Sequence, residues 1–436
     1  MTNMNNAKIK YINFVIFIFV SAYTFALSPV SDDQLGIIAG VNSLLIQRAV
    51  AFRQATQVAS GKRSGVYVYS SKSIKTYLQQ PQKLAARLAL LGLNDIYLGI
   101  TQAALNGSDA VSLDWIKTFN ATAHSYNLKV YALRFSNLNM YVDSTLVISD
   151  ANLITSYNQN VDAIQRFDGA SADLEPHTLK EGNTPSGLSI FWDSTNNYGI
   201  GNSNDLLLKK TLNILTLAKT KLATLPLNEA IIYNYQDNVN NGNLKYGASS
   251  QFLTSCESVI LMAYSNSYTT IWNRGEVVLD ATTTLESVTI CMKTSLDTTG
   301  GGADNTSLQP QGWNSLIESI LSLNAQASTY KSWRGFGFFE FEGLEQMWLS
   351  GVSTDIKRLD NNNVSCIIKD NTIIVKGLLK NDMLAVYDLT AKIIYQSRCS
   401  GEDLKININD IITGYYFISI RRDQASIHKT IQISKI

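Results

Sequence analysis

The middle of the chain alternates short apolar segments with longer segments of helical periodicity. Between residues 31 and 351, eight short runs are rich in Val, Ile and Tyr. Each run is apolar at nearly every position, which is typical of parallel strands buried on both faces. The pattern therefore predicts eight buried strands at residues 65–69, 95–100, 128–135, 169–175, 229–235, 258–264, 287–293 and 335–341.

Amphipathic segments separate these runs and predict helices, among them residues 81–91, 109–124, 205–224 and 313–323. Eight strand–helix units with strands buried on both faces favour a closed (β/α)8 TIM barrel over an open doubly wound sheet, which is the alternative. We expect the barrel to span residues 31–355. Residues 32–56 predict one further helix that covers the bottom or the side of the barrel.

The periodicity changes at the polar run Asp360-Asn361-Asn362-Asn363. Residues 360–436 contain short alternating segments separated by turn residues, which predicts a small β-sandwich domain. The runs at 385–390, 404–411, 414–418 and 429–433 resemble the C-terminal sorting domain of the type IX secretion system. This resemblance implies a partner in the outer-membrane secretion machinery. A carbohydrate-binding or immunoglobulin-like module is the alternative, since the strand pattern is common to both.

The N-terminal 26 residues have the pattern of a signal peptide. Lys8 and Lys10 precede an apolar run at residues 11–20, and small residues follow. An uncleaved membrane anchor is the alternative, but the apolar run is short and polar residues interrupt it. We therefore expect an exported protein, secreted or held at the cell surface, without a transmembrane anchor.

Composition narrows the chemistry that this chain performs. The 36 Lys and Arg residues nearly balance the 35 Asp and Glu residues, so no strong positive field attracts nucleic acid. Three His and four Cys residues are too few and too scattered to predict a metal site, and no phosphate-binding motif occurs, so we expect neither metal nor cofactor. Acid–base chemistry therefore falls to carboxylates. Cys256 and Cys291 sit near two successive predicted strands, so either they meet and form a disulfide or they are buried free thiols.

Two carboxylates close the fourth predicted strand. Asp173 and Glu175 are two residues apart, so on a strand both side chains point to the same face, toward the mouth of the barrel. Two such close carboxylates do not both ionise freely, so one has a raised pKa and can donate a proton near neutral pH. Glu175, nearer the open end, is the candidate acid. The alternative is that these carboxylates form a purely structural pair with Arg134 or with a backbone amide.

The fourth strand resembles the Asp-Gly-x-Asp-x-Asp-x-Glu signature of family 18 glycoside hydrolases, the chitinases and endo-β-N-acetylglucosaminidases. Ser171 replaces the first inner Asp of that signature, and its other positions are matched by Asp168, Gly169, Asp173 and Glu175. The resemblance implies substrate-assisted retention, in which Glu175 protonates the glycosidic oxygen and Asp173 orients the substrate's acetamido group. It thus implies a secreted enzyme of carbohydrate metabolism that acts on N-acetylglucosamine-containing oligosaccharides or polysaccharides.

The sixth strand looks like the Met-x-Tyr strand of the same family, with Met262 and Tyr264 at the matching positions. The resemblance makes both substrate-binding candidates, with Tyr264 as the second support of the acetamido group. Other strands depart from the family: the third lacks its Ser-x-Gly-Gly, and the eighth has Glu340 where Trp is usual. A non-catalytic glycan-binding protein on the same barrel is therefore the alternative function.

Three further side chains are candidates for contact with a sugar. Glu340 and Glu342 share one face if the eighth strand continues through them, which would place Glu340 opposite Glu175 as a nucleophile or base in another type of barrel glycosidase. Trp192 lies in the long loop after Glu175, and Trp272 follows the sixth strand. Aromatic faces stack on sugar rings, so we expect both Trp residues at substrate subsites.

Overall fold

The computed structural model describes residues 30–57, 61–182, 184–194, 201–296, 304–350, 365–369, 372–387, 393–401, 403–407, 414–422 and 425–433. The expected signal peptide and the residue 360–363 boundary lie outside these ranges. Eight parallel strands pair in chain order and close when the eighth pairs with the first. They are β1 Arg63–Tyr69, β2 Asp95–Gly99, β3 Lys129–Phe135, β4 Gly169–Ala172, β5 Leu227–Ile231, β6 Ser258–Met262, β7 Val288–Lys293 and β8 Trp333–Phe339. The (β/α)8 barrel is confirmed, and the open sheet is excluded.

Twelve α-helices occur in the described part of the chain, most of them after a barrel strand. They are α1 Asp32–Ala39, α2 Ser43–Thr56, α3 Pro81–Leu90, α4 Gln102–Leu105, α5 Leu113–Ser125, α6 Thr145–Gln159, α7 Asn202–Leu222, α8 Tyr233–Asn240, α9 Ser249–Phe252, α10 Tyr268–Ala281, α11 Gly312–Ala327 and α12 Phe341–Leu349.

Capping residues set where several of these helices begin and end. The single helix expected at residues 32–56 is wrong, because Gly40 adopts a left-handed conformation (φ 66°) that ends α1 before α2 begins. Helix α5 begins at Leu113 rather than at 109, because the Ser112 hydroxyl accepts the backbone N–H of Trp115 at 3.1 Å.

Several predicted strands run too far toward the barrel mouth, among them β6, which ends at Met262 rather than at 264. β4 ends at Ala172, although the Asp173 N–H still donates to the Phe135 carbonyl at 2.9 Å. β5 covers Leu227–Ile231 rather than 229–235, because α8 begins at Tyr233. β8 ends at Phe339, and Glu340 is the N-cap of α12. Glu340 and Glu342 therefore do not share a strand face, contrary to expectation.

Apolar side chains fill two layers of the barrel. The outward faces of the strands pack against the helices in one large cluster, which includes Ala172, Leu174 and Leu261. The interior holds a separate cluster that is rich in tyrosine. Its members are Tyr67, Tyr97, Tyr131, Leu133, Ile260 and Cys291, with Tyr69, Tyr264 and Phe339 packed against them. The interior is thus a packed core in which neighbouring tyrosine rings contact one another.

The C-terminal residues form two antiparallel sheets with one shared core. The strands are β9 Ser365–Lys369, β10 Thr372–Lys376, β11 Lys380–Tyr387, β12 Ile393–Ser400, β13 Leu404–Asn407, β14 Gly414–Arg422 and β15 Ala425–Ile433. The sheet orders are β13-β10-β9 and β12-β11-β14-β15. Ile373 and Val375 of one sheet belong to the same buried cluster as Leu384 and Ile418 of the other. The expected β-sandwich is confirmed.

Cys256 and Cys291 are buried free thiols, so the disulfide alternative for this pair is wrong. Within the described ranges no single helix has the length and apolar character to cross a membrane. The bent pair α1 and α2 passes that test together, by length and composition only.

Candidate functional site

The site is built at the C-terminal end of β4. Gly169 begins this strand, and a Cβ atom there would lie 2.6 Å from the Pro226 carbonyl oxygen, so the close approach of neighbouring backbone requires glycine. At the same end of the strand, Asp168 accepts hydrogen bonds from the Val130 N–H at 2.7 Å and pairs with His124 Nε2 at 2.9 Å. Asp168 and Gly169 therefore fix the strand in the wall, away from the mouth.

Asp173 and Glu175 interact with each other at the opposite end. Burial raises the pKa of Asp173 to about 6. Burial and the neighbouring charge of Asp173 raise the pKa of Glu175 to about 7. The Glu175 side chain remains 34% exposed, so it is accessible from the mouth while it is partly desolvated. One carboxyl of the pair therefore retains a proton near neutral pH.

Arg134 is excluded as a partner of these carboxylates. Arg134 bonds instead to the carboxylate of Asp150 on α6 and, at 2.8 Å, to the carbonyl of Ile100. Asp173 Oδ1 has no hydrogen-bond partner among the described residues, and neither does the hydroxyl of Ser171, which is also buried. The interior face at the end of β4 thus presents a carboxyl oxygen and a hydroxyl that form no hydrogen bond with the described residues.

A third carboxyl near the pair was not singled out from the sequence. Glu229 on β5 is fully buried, and its Oε1 accepts the backbone N–H of Leu174 at 3.3 Å. Burial, followed by the charge of Asp173, holds the pKa of Glu229 well above its usual range, so the group is neutral. Glu229 therefore fixes the backbone between Asp173 and Glu175. The polar pair Asn228-Glu229 within a buried strand was the available signal.

His177 is also close to Glu175. Its Nε2 lies 3.7 Å from Glu175 Oε1, and its Nδ1 lies 2.7 Å from the Tyr235 hydroxyl. Burial, and then the charge of Lys180, lower the pKa of His177 to about 4. The imidazole is therefore uncharged at neutral pH.

Trp192 and Trp272 are not open sugar platforms in this structure. Trp192 is 3% exposed and packs on Tyr235, with ring centroids 5.7 Å apart. Trp272 lies on α10 against Tyr330, which follows α11 at the far end of the helix from the mouth. Sequence pattern alone does not distinguish an aromatic residue on a loop surface from one that is folded beneath the loop.

Tyr264 and Met262 lie at the end of β6, where they were expected. The ring of Tyr264 packs 5.5 Å from that of Phe339, and its phenol lies near the Cys291 thiol. Burial raises the pKa of Tyr264, and the charge of Asp173 contributes to the same shift. Tyr264 and Asp173 therefore face the same interior space. Met262 is 9% exposed and pairs across the sheet with Cys291.

Glu340 is buried at the end of β8 and forms an ion pair with Lys72, which follows β1. Burial raises the pKa of Tyr69, with smaller contributions from Asp173 and then Glu340, so both carboxyls lie near this phenol. In the described residues no group of three or more His, Cys, Asp or Glu side chains is placed to hold a metal ion.

The comparisons with known proteins identify the C-terminal part of the chain. Residues 368–434 match the family model described as "Secretion system C-terminal sorting domain". No curated protein matches the chain.

Solved structures that resemble the fold include several glycoside hydrolases. The GH18 chitinase from Pseudoalteromonas aurantia has a TM-score of 0.44 at 12% identity, over 67% of this chain and 98% of its own. SleL, the spore cortex-lytic enzyme of Bacillus megaterium QM B1551, has a TM-score of 0.42 at 13% identity, over 67% of this chain and 74% of its own. The endo-beta-N-acetylglucosaminidase from Cordyceps militaris has a TM-score of 0.39 at 9% identity, over 72% of this chain and 91% of its own. Such identities and TM-scores assign no activity to this chain.

The sorting domain, by contrast, has a direct consequence for the whole molecule. The family-model match confirms the expected sorting domain over the carbohydrate-binding and immunoglobulin-like alternatives. The chain carries a secretion-system sorting domain at its C-terminus, and the protein is exported, either secreted or attached to the cell surface.

Proposed function

We propose that the protein is a secreted glycoside hydrolase that acts on N-acetylglucosamine-containing glycans, with Glu175 as the general acid. The observation that carries this proposal is the state of Glu175: it is 34% exposed at the C-terminal end of β4, and its pKa is raised to about 7. A carboxylic acid that is both accessible and protonated near neutral pH is suited to protonate a leaving oxygen. Residues 31–355 would form the hydrolase and 360–436 the sorting unit.

The proposed reaction uses the substrate's own acetamido group as nucleophile. Glu175 transfers its proton to the glycosidic oxygen while the bond from that oxygen to the anomeric carbon breaks, and the electron pair leaves with the oxygen. The acetamido oxygen bonds to the anomeric carbon and gives a cyclic oxazolinium ion. Glu175, now a carboxylate, takes a proton from water as the water oxygen attacks the same carbon, which reopens the ring.

Asp173 and Tyr264 would support the acetamido group. Asp173 Oδ1 has no hydrogen-bond partner in the described part of the chain, so it is available to the acetamido N–H. Its charge would also stabilise the positive charge that develops on the ring. Tyr264 shares the interior space with Asp173 and would be the second contact. Met262 at the end of the same strand would line the base of this subsite.

Hydrolysis of a fluorogenic chitobioside by the purified protein tests the acid role. We expect Glu175→Gln to lower kcat by about 10²–10⁴-fold, since general acid catalysis contributes on this order. The wild-type kcat/KM should fall as pH rises above about 7, because Glu175 must hold its proton to act as the acid. Glu181→Gln, at an exposed position on the following loop, is the matched control and should retain full activity.

A non-catalytic glycan-binding protein is the second candidate, and one observation favours it. Ser171 presents a neutral hydroxyl on the interior face of β4 beneath Asp173, so no second carboxyl is available there to exchange a proton. Retained binding of N-acetylglucosamine oligomers without turnover by the wild type would favour this candidate. Turnover that Glu175→Gln does not reduce would contradict the proposed acid.

A further inference from the structure

The turn after Glu175 brings an imidazole back onto its carboxyl group. Pro176–Thr178 forms a 3-10 turn, and the Glu175 carbonyl accepts the Thr178 N–H at 3.0 Å and the Thr178 hydroxyl at 2.7 Å. This closed turn places His177 Nε2 at 3.7 Å from Glu175 Oε1. The His177 side chain is 16% exposed, so it is the more buried member of the pair.

A buried phenol is hydrogen-bonded to the Nδ1 nitrogen of His177. Tyr235 is 1% exposed, and its hydroxyl lies 2.7 Å from His177 Nδ1. The hydroxyl of a neutral phenol has a hydrogen to donate, and we take it to donate to Nδ1. A neutral imidazole that accepts at Nδ1 carries its hydrogen on Nε2, the nitrogen that faces Glu175.

The imidazole and phenol are shielded from solvent. The ring of Trp192 packs 5.7 Å from that of Tyr235, and the backbone N–H of Trp192 donates to the carbonyl of Leu179 at 2.5 Å, which holds the loop against the Tyr235 ring. Exclusion of water strengthens a hydrogen bond to a charged group and limits rotation of the ring. Trp192 therefore shields Tyr235 and His177 from solvent.

We propose that His177 is a positioning residue for Glu175: Tyr235 fixes its orientation, and its Nε2–H hydrogen-bonds Oε1 of Glu175 once that carboxyl has given up its proton. The present separation of 3.7 Å is longer than a hydrogen bond, and we expect it to shorten when Glu175 ionises, because a carboxylate attracts an N–H donor more strongly than a carboxylic acid does. This inference rests on the proposed function, since it assigns His177 to the half of the cycle in which Glu175 is a carboxylate.

A neutral donor suits this task better than a charged one. An imidazolium at this distance would favour the carboxylate of Glu175 throughout the cycle and would oppose its role as an acid. Burial keeps the imidazole uncharged, so it lowers the energy of the carboxylate by one hydrogen bond only.

Other titratable groups surround Glu175 and contribute to its ionisation. They come from β1, β4, β5, α8 and the segment after β3, and they are Tyr69, Asp173, Glu229, Tyr235 and Tyr141. The phenols are buried and remain neutral. The charge of Lys180 lowers the pKa of His177. Only His177 combines a neutral N–H donor with a short approach to a Glu175 oxygen, among the described residues.

The test measures the ionisation of Glu175 directly, without substrate. Carboxyl-¹³C glutamate NMR of the full chain gives the titration midpoint of Glu175, whose signal is identified by its loss in Glu175→Gln. We expect His177→Leu to raise this midpoint by at least about half a pH unit, because the carboxylate loses its donor. His177→Gln retains a side-chain N–H and should restore the wild-type midpoint. Tyr235→Phe should give an intermediate rise.

A matched control and a kinetic arm complete the experiment. His124→Leu removes a half-buried imidazole from the opposite end of β4 and should leave the midpoint unchanged. On the chitobioside, His177→Leu should lower kcat about 10-fold or more with KM within twofold.

An unchanged midpoint in His177→Leu, or equal midpoints in the Leu and Gln variants, would overturn the assignment. If His177→Leu does not fold, an unchanged midpoint in Tyr235→Phe overturns it. Absence of hydrolysis by the wild type would reject the proposed function alone, since the NMR comparison still decides the role of His177.

Discussion

The paired carboxyls at the mouth lower the stability of the folded protein as pH rises. Folding raises the pKa of Asp173 from its ordinary value of 3.8 to about 6 and that of Glu175 from 4.5 to about 7. The folded state therefore binds more protons than the unfolded state between about pH 4 and 7, and the free energy of unfolding falls over that range. The two carboxyls that the proposed reaction uses therefore destabilise the folded protein at neutral pH.

Replacing Glu175 with a side chain that does not ionise should make the protein more stable at high pH. Glu175→Gln cannot ionise, so it should melt about 2–4 °C above wild type at pH 8, and the difference should disappear near pH 4, where both carry a neutral side chain. Melting curves of the two proteins across this pH range check it. Glu181→Gln, at an exposed loop position, should follow the wild type throughout. A stability difference that is the same at pH 4 and pH 8 would contradict the raised pKa.

Single residues of the site differ in how far the sequence predicts them. Asp173 and Glu175 were predicted because they are two residues apart at the end of an apolar segment, a spacing that places both side chains on one strand face. Glu229 and His177 were not, because their roles depend on contacts across the fold, to the Leu174 N–H and to Tyr235. Trp192 was assigned to a surface, but its position beneath the loop is set by packing on Tyr235, which sequence pattern does not encode.

At the scale of elements, the number and type of barrel units were predictable, and their ends were not. Apolar runs identify strands by composition. The residue at which a strand ends depends on whether the next backbone N–H or C=O group bonds to a neighbouring strand or to another partner. After β4, the Leu174 N–H bonds to the Glu229 side chain and leaves the ladder. After β5, Ile232 becomes the N-cap of α8 although it is as apolar as the strand before it.

Closure of the barrel depends on one close approach between the first and last strands. Gly335 on β8 has φ 145°, and a Cβ atom there would lie 1.9 Å from the Arg63 carbonyl oxygen of β1. We expect Gly335→Ala to cost roughly 3 kcal/mol or more, because the clash is with backbone that pairs at this register. Urea unfolding of the variant measures the loss.

Gly107→Ala is the matched control for this prediction. Gly107 also has a positive φ, 73°, but a Cβ atom there meets nothing within 4 Å. It should cost about 1 kcal/mol, from backbone strain alone. Equal losses in the two variants would show that conformational strain, and not the contact between β1 and β8, explains the requirement for glycine.

For the whole molecule, the apolar clusters separate the chain into two parts with different tasks. The barrel clusters draw on residues between Leu35 and Trp348, and the sandwich cluster draws on residues between Ile373 and Ile420, with no member in common. A unit with its own core can fold alone. The part that carries the carboxyl pair is thus separate in sequence and in core from the part that matches a sorting domain.

Deletion of residues 365–436 should therefore separate delivery from stability. We expect the shortened protein to remain inside the cell, because its sorting domain is gone, while its barrel melts within about 2 °C of the full chain. Cell fractionation and melting curves measure the two effects. Full-length Glu175→Gln is the control, since a change at the barrel mouth leaves the sorting domain intact and should not alter export. Export of the shortened protein would contradict the role of the tail, and a much lower melting temperature would show that the barrel draws stability from it.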